Sequence, residues 1–291
     1  MPELPEVETI VNGLKQEVLN RTFVDIWADT PKLVKHPSLA GFKKNILGRK
    51  ILNIKRRGKN ILFCLDNDYV LLVHQKMTGH LMVGEWVKEK NKWKAKGKGP
   101  LAEDIMNTYL HFIFFLDNHR QIALSDVRKF AKIELWKKEE LLKSKEFSSL
   151  GPEPLDSAFT FNKFKALFQK KIGKIKLVLM DQKFIAGIGN IYASEILLRA
   201  RIHPENRVER LNEKDLKNLY AAMQEILKKG IKARGASLSD FRDVHGNKGD
   251  FQKITKVYGK EGADCPCGGK VKRIVMGQRA TFYCPKCQIK K

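Results

Sequence analysis

Met1-Pro2-Glu3-Leu4-Pro5-Glu6-Val7-Glu8-Thr9-Ile10 opens the chain. Pro5 suits the first position of a helix, because its fixed φ is helical and its missing N–H would have no partner there. Val7, Val11, Leu14 and Val18 then recur at helical spacing with polar residues between them, which predicts a helix over 5–19. If Met1 is removed, Pro2 carries a terminal secondary amine beside the Glu3 carboxylate. Such an amine attacks an electrophilic sugar carbon, and its adduct is an iminium that stays positive without protonation. The positive end of the helix disfavours the ammonium form and keeps the amine nucleophilic. Glu3 can shuttle protons and Glu6 can orient the group. Taken alone, the same residues also read as a plain helix start with acids in its first turn.

Outward from this stretch the texture becomes β-rich. Short runs at 22–27, 50–56, 60–66, 69–75, 79–83, 108–116, 120–125 and 130–136 predict strands, separated by turn residues such as Gly58 and Asp117-Asn118. Many short strands imply a sandwich or a barrel. A lysine-rich stretch at 84–104, carrying Gly97, Gly99 and Pro100, is expected to be a solvated, mobile loop. Residues 138–158 read as a charged linker. Beyond it, helices are expected at 161–171, 174–181, 189–200 and 212–230, followed by a polar, flexible loop at 236–252.

The 291 residues allow one large domain or two ordinary ones. A hydrophobic content of 43 % fits a globular protein, and no apolar run approaches the roughly 20 residues of a membrane span. The first residues lack the basic and apolar regions of a secretory signal, so the expected location is the cytoplasm. The formal net charge of +24 points to a polyanionic partner. Clustered cysteines without an export signal read as metal ligands rather than disulfides. Cys265, Cys267, Cys284 and Cys287 give C-x-C-x16-C-x2-C around a hairpin pattern at 270–283. Tetrahedral zinc with thiolate ligands fits that spacing. Cys64 lies in an apolar run and reads as core.

Four further segments carry chemistry. In Arg56-Arg57-Gly58-Lys59-Asn60-Ile61-Leu62-Phe63, Lys59 sits at a turn, where it faces solvent or, near a site, contacts a phosphate or aids the leaving group. His74-Gln75-Lys76-Met77-Thr78-Gly79 ends an apolar strand. Arg128-Lys129-Phe130 mixes charge with a ring, as a loop that wedges into DNA would. Gly187 and Gly189, ahead of Asn190 and a strong helix, make a turn whose amides can meet a phosphate. Arg279 lies just past the hairpin turn, within reach of a phosphate.

Over nearly its whole length the chain resembles the bacterial formamidopyrimidine-DNA glycosylases, in the family shared with endonuclease VIII. The resemblance runs in order from PELPEVETI through RRGKNILF, the His74–Gly79 segment, RKF, LGPEPL, DQKFIAGIGNIYASEILLRARIHP and VYGKEG to QRATFYCPKCQ. It implies an α+β fold: an N-terminal β-sandwich with an N-terminal helix (1–137), a linker (138–158), a helix–two-turn–helix domain (159–235), a lesion-capping loop (236–252) and a β-hairpin zinc finger (253–291). It implies a monomer that binds damaged double-stranded DNA, holds one structural zinc, excises oxidised purines and nicks the strand by β,δ-elimination. Carried over by position, Pro2 is the Schiff-base nucleophile, Glu3 the general acid and Lys59 the sandwich lysine, with Glu6 beside them. Met77, Arg128 and Phe130 fill the gap left by the lesion. Asn190 and Arg279 meet phosphates, and His74 and Lys176 complete the DNA-binding set. The zinc ligands are Cys265, Cys267, Cys284 and Cys287, although Asp264 holds the position where the family's first cysteine stands. Ala131 follows Phe130 where glycine is usual. Two rivals remain open: the same chemistry on oxidised pyrimidines, and a non-catalytic zinc-ribbon DNA-binding protein. Retention of Pro2, Glu3 and Lys59 argues against the second.

Overall fold

A computed structural model describes all residues from Met1 to Lys291. The chain divides into two compact units. The first holds Met1–Ser148 and Ala233–Gln252, the second Ser149–Lys232 and Lys253–Lys291.

The first unit begins with α1 (Leu4–Val18), which presents Val7, Ile10, Val11, Leu14 and Val18 to a buried core. The strands follow in chain order: β1 (Phe23–Ala28), β2 (Val34–His36), β3 (Ile51–Arg57), β4 (Asn60–Leu65), β5 (Tyr69–His74), β6 (His80–Gly84), β7 (Trp86–Glu89), β8 (Lys92–Ala95), β9 (Leu110–Leu116), β10 (Gln121–Ser125) and β11 (Lys132–Lys137). Between β2 and β3 lies α2 (Leu39–Ile46), capped at its start by the Ser38 hydroxyl, which accepts from the Gly41 amide at 3.3 Å. One sheet has the order β1-β9-β10-β6 and the other β2-β11-β5-β4-β3. All these pairs are antiparallel except β11 with β2. Alternate residues such as Leu71 and Val73, Ile61 and Phe63, and Phe112 and Phe114 fill a common core between the sheets. This is a sandwich, one of the two arrangements that the many short strands allow and the one that the resemblance implies.

The lysine-rich stretch 84–104 is a correction. It is not a mobile loop but the hairpin β7–β8, followed by the short α3 (Pro100–Glu103). Aromatic residues hidden among the lysines decide this. Trp86 is buried, and Trp93 packs against Trp27 and Phe115, with ring centroids 5.6 and 5.7 Å apart. The Gln121 side chain locks the hairpin base, accepting from the Trp86 amide at 2.6 Å and donating to its carbonyl at 3.2 Å. The hairpin therefore packs with Met82, Ile113 and Ala123 in a second apolar cluster, leaving Lys92, Lys94 and Lys96 in water.

Residues 138–148, read as linker, form α4 (Lys138–Lys143) and α5 (Lys145–Ser148). Residues 233–252 contain almost no regular structure, yet they are not loose. Phe241 and Val244 enter the sandwich core, and the Val83 amide donates to the Val244 carbonyl at 2.8 Å. Arg242 is buried and grips Asp104 with two nitrogens, at 2.6 and 3.1 Å.

The second unit is helical: α6 (Phe161–Phe168), α7 (Ile175–Met180), α8 (Asn190–Ala200) and α9 (Glu213–Lys232). It ends in a hairpin of β12 (Lys272–Met276) and β13 (Arg279–Tyr283). Gly277 and Gln278 at its tip both have positive φ, the twist that suits a two-residue hairpin turn. No helix of either unit is long and apolar enough to cross a membrane.

Candidate active site and nucleic-acid contacts

The first residues of the chain are built into the first unit. Pro2, Glu3 and Glu6 are buried, while Met1 remains about half exposed. Glu3 and Glu6 form a reciprocal capping box at the start of α1, in which Glu6 Oε2 accepts from the Glu3 amide at 2.8 Å. The other Glu6 oxygen accepts from the Ala236 amide at 2.6 Å. One carboxylate thus fastens the start of α1 to the 233–252 segment. Gly235, at φ +78°, has no room for a side chain, since an added Cβ would lie 2.7 Å from Glu6 Cγ.

Lys59 sits in the two-residue β3–β4 turn, next to Gly58 at φ +57°. A lysine in a turn ordinarily points into water, but this one is only 6 % exposed. Arg56 braces the turn, with Nε 2.6 Å from Glu8 Oε2 on α1 and Nη1 donating to the Gly58 carbonyl at 3.3 Å. The charge of Lys59 is felt at the chain's first amine. Burial draws the Met1 amino group below its ordinary pKa; Glu3 and Glu6 oppose the fall, and Lys59 reinforces it. An amine whose charged form is disfavoured, the side chains of Glu3 and Glu6 and a buried lysine therefore share one region, and this combination supports nucleophilic and proton-transfer chemistry.

Met77 and Phe130 are 42 % and 51 % exposed, the opposite of what apolar residues seek. They lie on two turns flanking β5–β6 and β10–β11 and are held together by Asp126, which is fully buried. Asp126 Oδ1 accepts from the Thr78 hydroxyl, and Oδ2 from the amides of Phe130 and Ala131 at 2.7 and 2.8 Å. The Arg128 amide donates to Thr78 Oγ1 at 3.1 Å, and its guanidinium lies 4.6 Å from the centre of the Phe130 ring. Ala131 is buried in the core, so its methyl group is accommodated where the resemblance leads one to expect glycine. Sequence reading missed Asp126 and Thr78. The signal was an acid two residues before the Arg128-Lys129-Phe130 turn and a hydroxyl beside Met77.

His74 accepts from the Lys76 amide on Nδ1 at 2.9 Å. Burial, with the nearby charges of Lys76, Lys59 and Lys132, pushes its pKa down to about 3. The ring is therefore neutral at pH 7 with its proton on Nε2, which leaves it a hydrogen-bond donor there.

In the second unit Lys176 does not face solvent. Its buried ammonium donates to Asn190 Oδ1 at 2.6 Å and to Thr281 Oγ1 at 2.5 Å. Asn190 Nδ2 in turn donates to the Ala280 carbonyl at 2.9 Å. The first turn of α8 is thereby tied to β13, whose first residue is Arg279, and Arg279 is exposed. Gln182 shapes the preceding turn: it donates to the Met180 and Ile188 carbonyls at 2.9 and 2.7 Å and accepts from the Gly187 amide at 2.9 Å. Gly187 has φ +93°, a conformation that favours glycine. Glu195, also missed in the sequence, is buried and accepts from the amides of Lys256, Val257 and Tyr258 at 2.8–2.9 Å.

The four cysteine sulfurs lie within 4.8 Å of one another, with Cys265–Cys287 at 3.7 Å and Cys267–Cys284 at 3.5 Å. Tetrahedral zinc with bonds of about 2.3 Å requires sulfurs about 3.8 Å apart, so the donor set fits that ion. Asp264 is turned away, mostly exposed and paired with Lys270 at 2.6 Å.

Comparison with known proteins agrees with this geometry. Residues 1–133 match the formamidopyrimidine-DNA glycosylase N-terminal domain, residues 150–242 the H2TH domain of the same enzymes, and residues 267–289 the zinc finger found in FPG and IleRS. The chain is 38 % identical to a formamidopyrimidine-DNA glycosylase of Pelotomaculum thermopropionicum over 289 residues, covering 99 % of both chains. It is 36 % identical to one of Heliobacterium modesticaldum, covering 99 % of this chain and 100 % of the relative. Among solved structures it is similar to the Lactococcus lactis Fpg in complex with abasic-site DNA, with a TM-score of 0.85, 32 % identity and coverage of 99 % and 100 %. A point mutant of that protein, bound to DNA containing Fapy-dG, matches with a TM-score of 0.86, 32 % identity and the same coverage. The chain therefore belongs to the formamidopyrimidine-DNA glycosylase family.

Proposed function

We propose that this protein is a bifunctional DNA glycosylase and abasic-site lyase of base excision repair, which removes oxidised purines from duplex DNA in the bacterial cytoplasm. The observation that carries this reading is the burial of Glu3, Glu6 and Lys59 around the first residues of the chain. Removal of Met1 frees the Pro2 nitrogen. That nitrogen attacks C1′ of the damaged nucleotide, and Glu3 gives a proton to the ring oxygen as the C1′–O4′ bond opens. The C1′–N bond to the base then breaks, the base leaves with the electron pair and takes up the proton released from the Pro2 nitrogen, and a Pro2 iminium remains. Loss of a proton from C2′ expels the 3′ phosphate. Loss of a second proton, from C4′, expels the 5′ phosphate, and water releases the sugar fragment from Pro2. Glu6 holds the start of α1 in place, and Lys59 supplies positive charge beside the leaving groups.

Met77, Arg128 and Phe130 fill the space vacated by the extruded nucleotide. Neutral His74 donates to a phosphate. In the second unit Arg279 meets a phosphate, and the α8 turn bearing Asn190 meets another; Lys176 acts through Asn190. One structural zinc on Cys265, Cys267, Cys284 and Cys287 holds the hairpin that presents Arg279.

Borohydride trapping on duplexes containing 8-oxoguanine, oxidised pyrimidine or a preformed abasic site tests the reading. Covalent capture on 8-oxoguanine by protein that begins at Pro2, and none by protein that retains Met1, is expected. Capture by the Met1 form, confirmed by mass spectrometry, would refute the terminal-amine mechanism. Preference for the pyrimidine duplex would move the protein to the endonuclease VIII branch.

A further inference from the structure

Gln75 is 1 % exposed, and neither its amide oxygen nor its amide nitrogen has a hydrogen-bond partner within the protein. A buried primary amide left in this state forfeits its hydration with nothing in exchange, so it calls for an explanation.

Its place in the fold supplies one. His74 pairs with Asn60 on one side and with Lys132 on the other. Continued one residue past these last paired rungs, the register sets Gln75 alongside Lys59 on one side and Ala131 on the other. Leu71 and Val73 point into the sandwich core, as do Ile61 with Phe63 and Ile133 with Leu135. Lys59, Gln75 and Ala131 continue those inward rows to the end of the core, because side chains alternate along a strand. Where apolar residues close the row on the Ala131 side, a lysine and an unpartnered amide close it on the other. The backbone of Gln75 is also fixed: its carbonyl accepts from the Gly79 amide at 3.1 Å, and a Cβ on Gly79 would strike that oxygen at 2.6 Å. The backbone from which the side chain projects is thus held by the turn that carries Met77.

We infer that Gln75 binds a hydroxyl-bearing ligand beside Lys59 and is a positioning residue of the active site. An amide offers one acceptor and two donors, which matches the O–H and lone pairs of a hydroxyl. Gln75 does not titrate, so it cannot exchange protons itself; it orients the group that does. Two sources carry this chemistry: a water held in the DNA-free protein, or the deoxyribose hydroxyl created when C1′–O4′ opens. The inference rests on the glycosylase reading above.

The experiment compares wild type, Gln75→Leu and Gln75→Met, all beginning at Pro2. The readouts are single-turnover excision of 8-oxoguanine, affinity for lesion and undamaged duplex, and Tm of the DNA-free protein. Excision should slow by about tenfold in both variants while both affinities stay within about twofold. With that loss, a raised Tm assigns the ligand to the sugar, because the free protein is relieved of an orphaned amide. An unchanged or lowered Tm assigns it to water already bound. Unchanged excision in either variant overturns the inference, as does a loss that follows weakened binding to undamaged DNA. Absence of excision by wild type would instead sink the glycosylase reading.

Discussion

Asp126 and Thr78 are 48 residues apart in sequence, yet the Thr78 hydroxyl donates to the Asp126 carboxylate in a buried bond. Through that bond the turn bearing Met77 and the turn bearing Arg128 and Phe130 move as one body. Two exposed apolar side chains are useful as a wedge only if they hold their spacing when pushed against stacked bases. Asp126→Asn should therefore weaken lesion binding by about 1–3 kcal/mol while leaving affinity for undamaged duplex nearly unchanged. Thr78→Val should do the same more mildly. Parallel titrations of both duplexes check this, and equal losses on both would reduce Asp126 to a general fold element.

Gly235→Ala should be costly for two separable reasons. The residue adopts φ +78°, and the new methyl group would press on Glu6. Strain at such a position is of order 1–3 kcal/mol. The displacement falls on the carboxylate that holds Glu3, so excision should fall further than Tm alone accounts for. Calorimetry alongside single-turnover excision well below Tm separates the two effects.

The first zinc pair admits a direct test. Cys265→Ser should lose most of the bound zinc, and Asp264→Ala should retain it, since Asp264 is engaged with Lys270 and its neighbour's sulfur faces Cys287. Metal analysis of the purified variants decides it. Arg279→Ala should keep zinc and lower the salt slope of DNA binding by about one phosphate contact.

His74 gives a pH prediction. Its folded pKa lies near 3, below the ordinary 6.5, because burial and three lysines disfavour the charged ring. The unfolded chain therefore takes up this proton at higher pH than the folded chain does. Stability from this site is full above the ordinary value and is lost as pH falls toward 3. His74→Gln should flatten that part of the acid-unfolding curve. It should weaken DNA binding by the same factor at pH 6 and pH 8, because a ring already neutral donates equally at both.

Much of this protein was legible in the order of its residues. Periodicity over Val7, Val11, Leu14 and Val18 gave the first helix, and short β-rich runs bounded by turn residues gave the strands, because side-chain period and turn chemistry are local properties of the backbone. The zinc ligands and the charged and aromatic segments were legible for the same reason, as residues near one another in sequence. The tertiary structure decided whatever depends on distant partners. Trp27 and Phe115 turn a lysine-rich stretch into a packed hairpin by packing against Trp93, and no window of sequence around 84–104 contains them. Glu6 and Asp104 fasten a polar segment that composition marks as flexible, the first through the Ala236 amide and the second through Arg242. Lys59 is buried, although turn lysines favour water, which no local property of Gly58-Lys59 foretells. Asp126, Glu195 and Gln75 look ordinary in sequence. Their roles exist only once burial removes water, for then each hydrogen bond they make or lack carries a free energy that solvent would otherwise cancel.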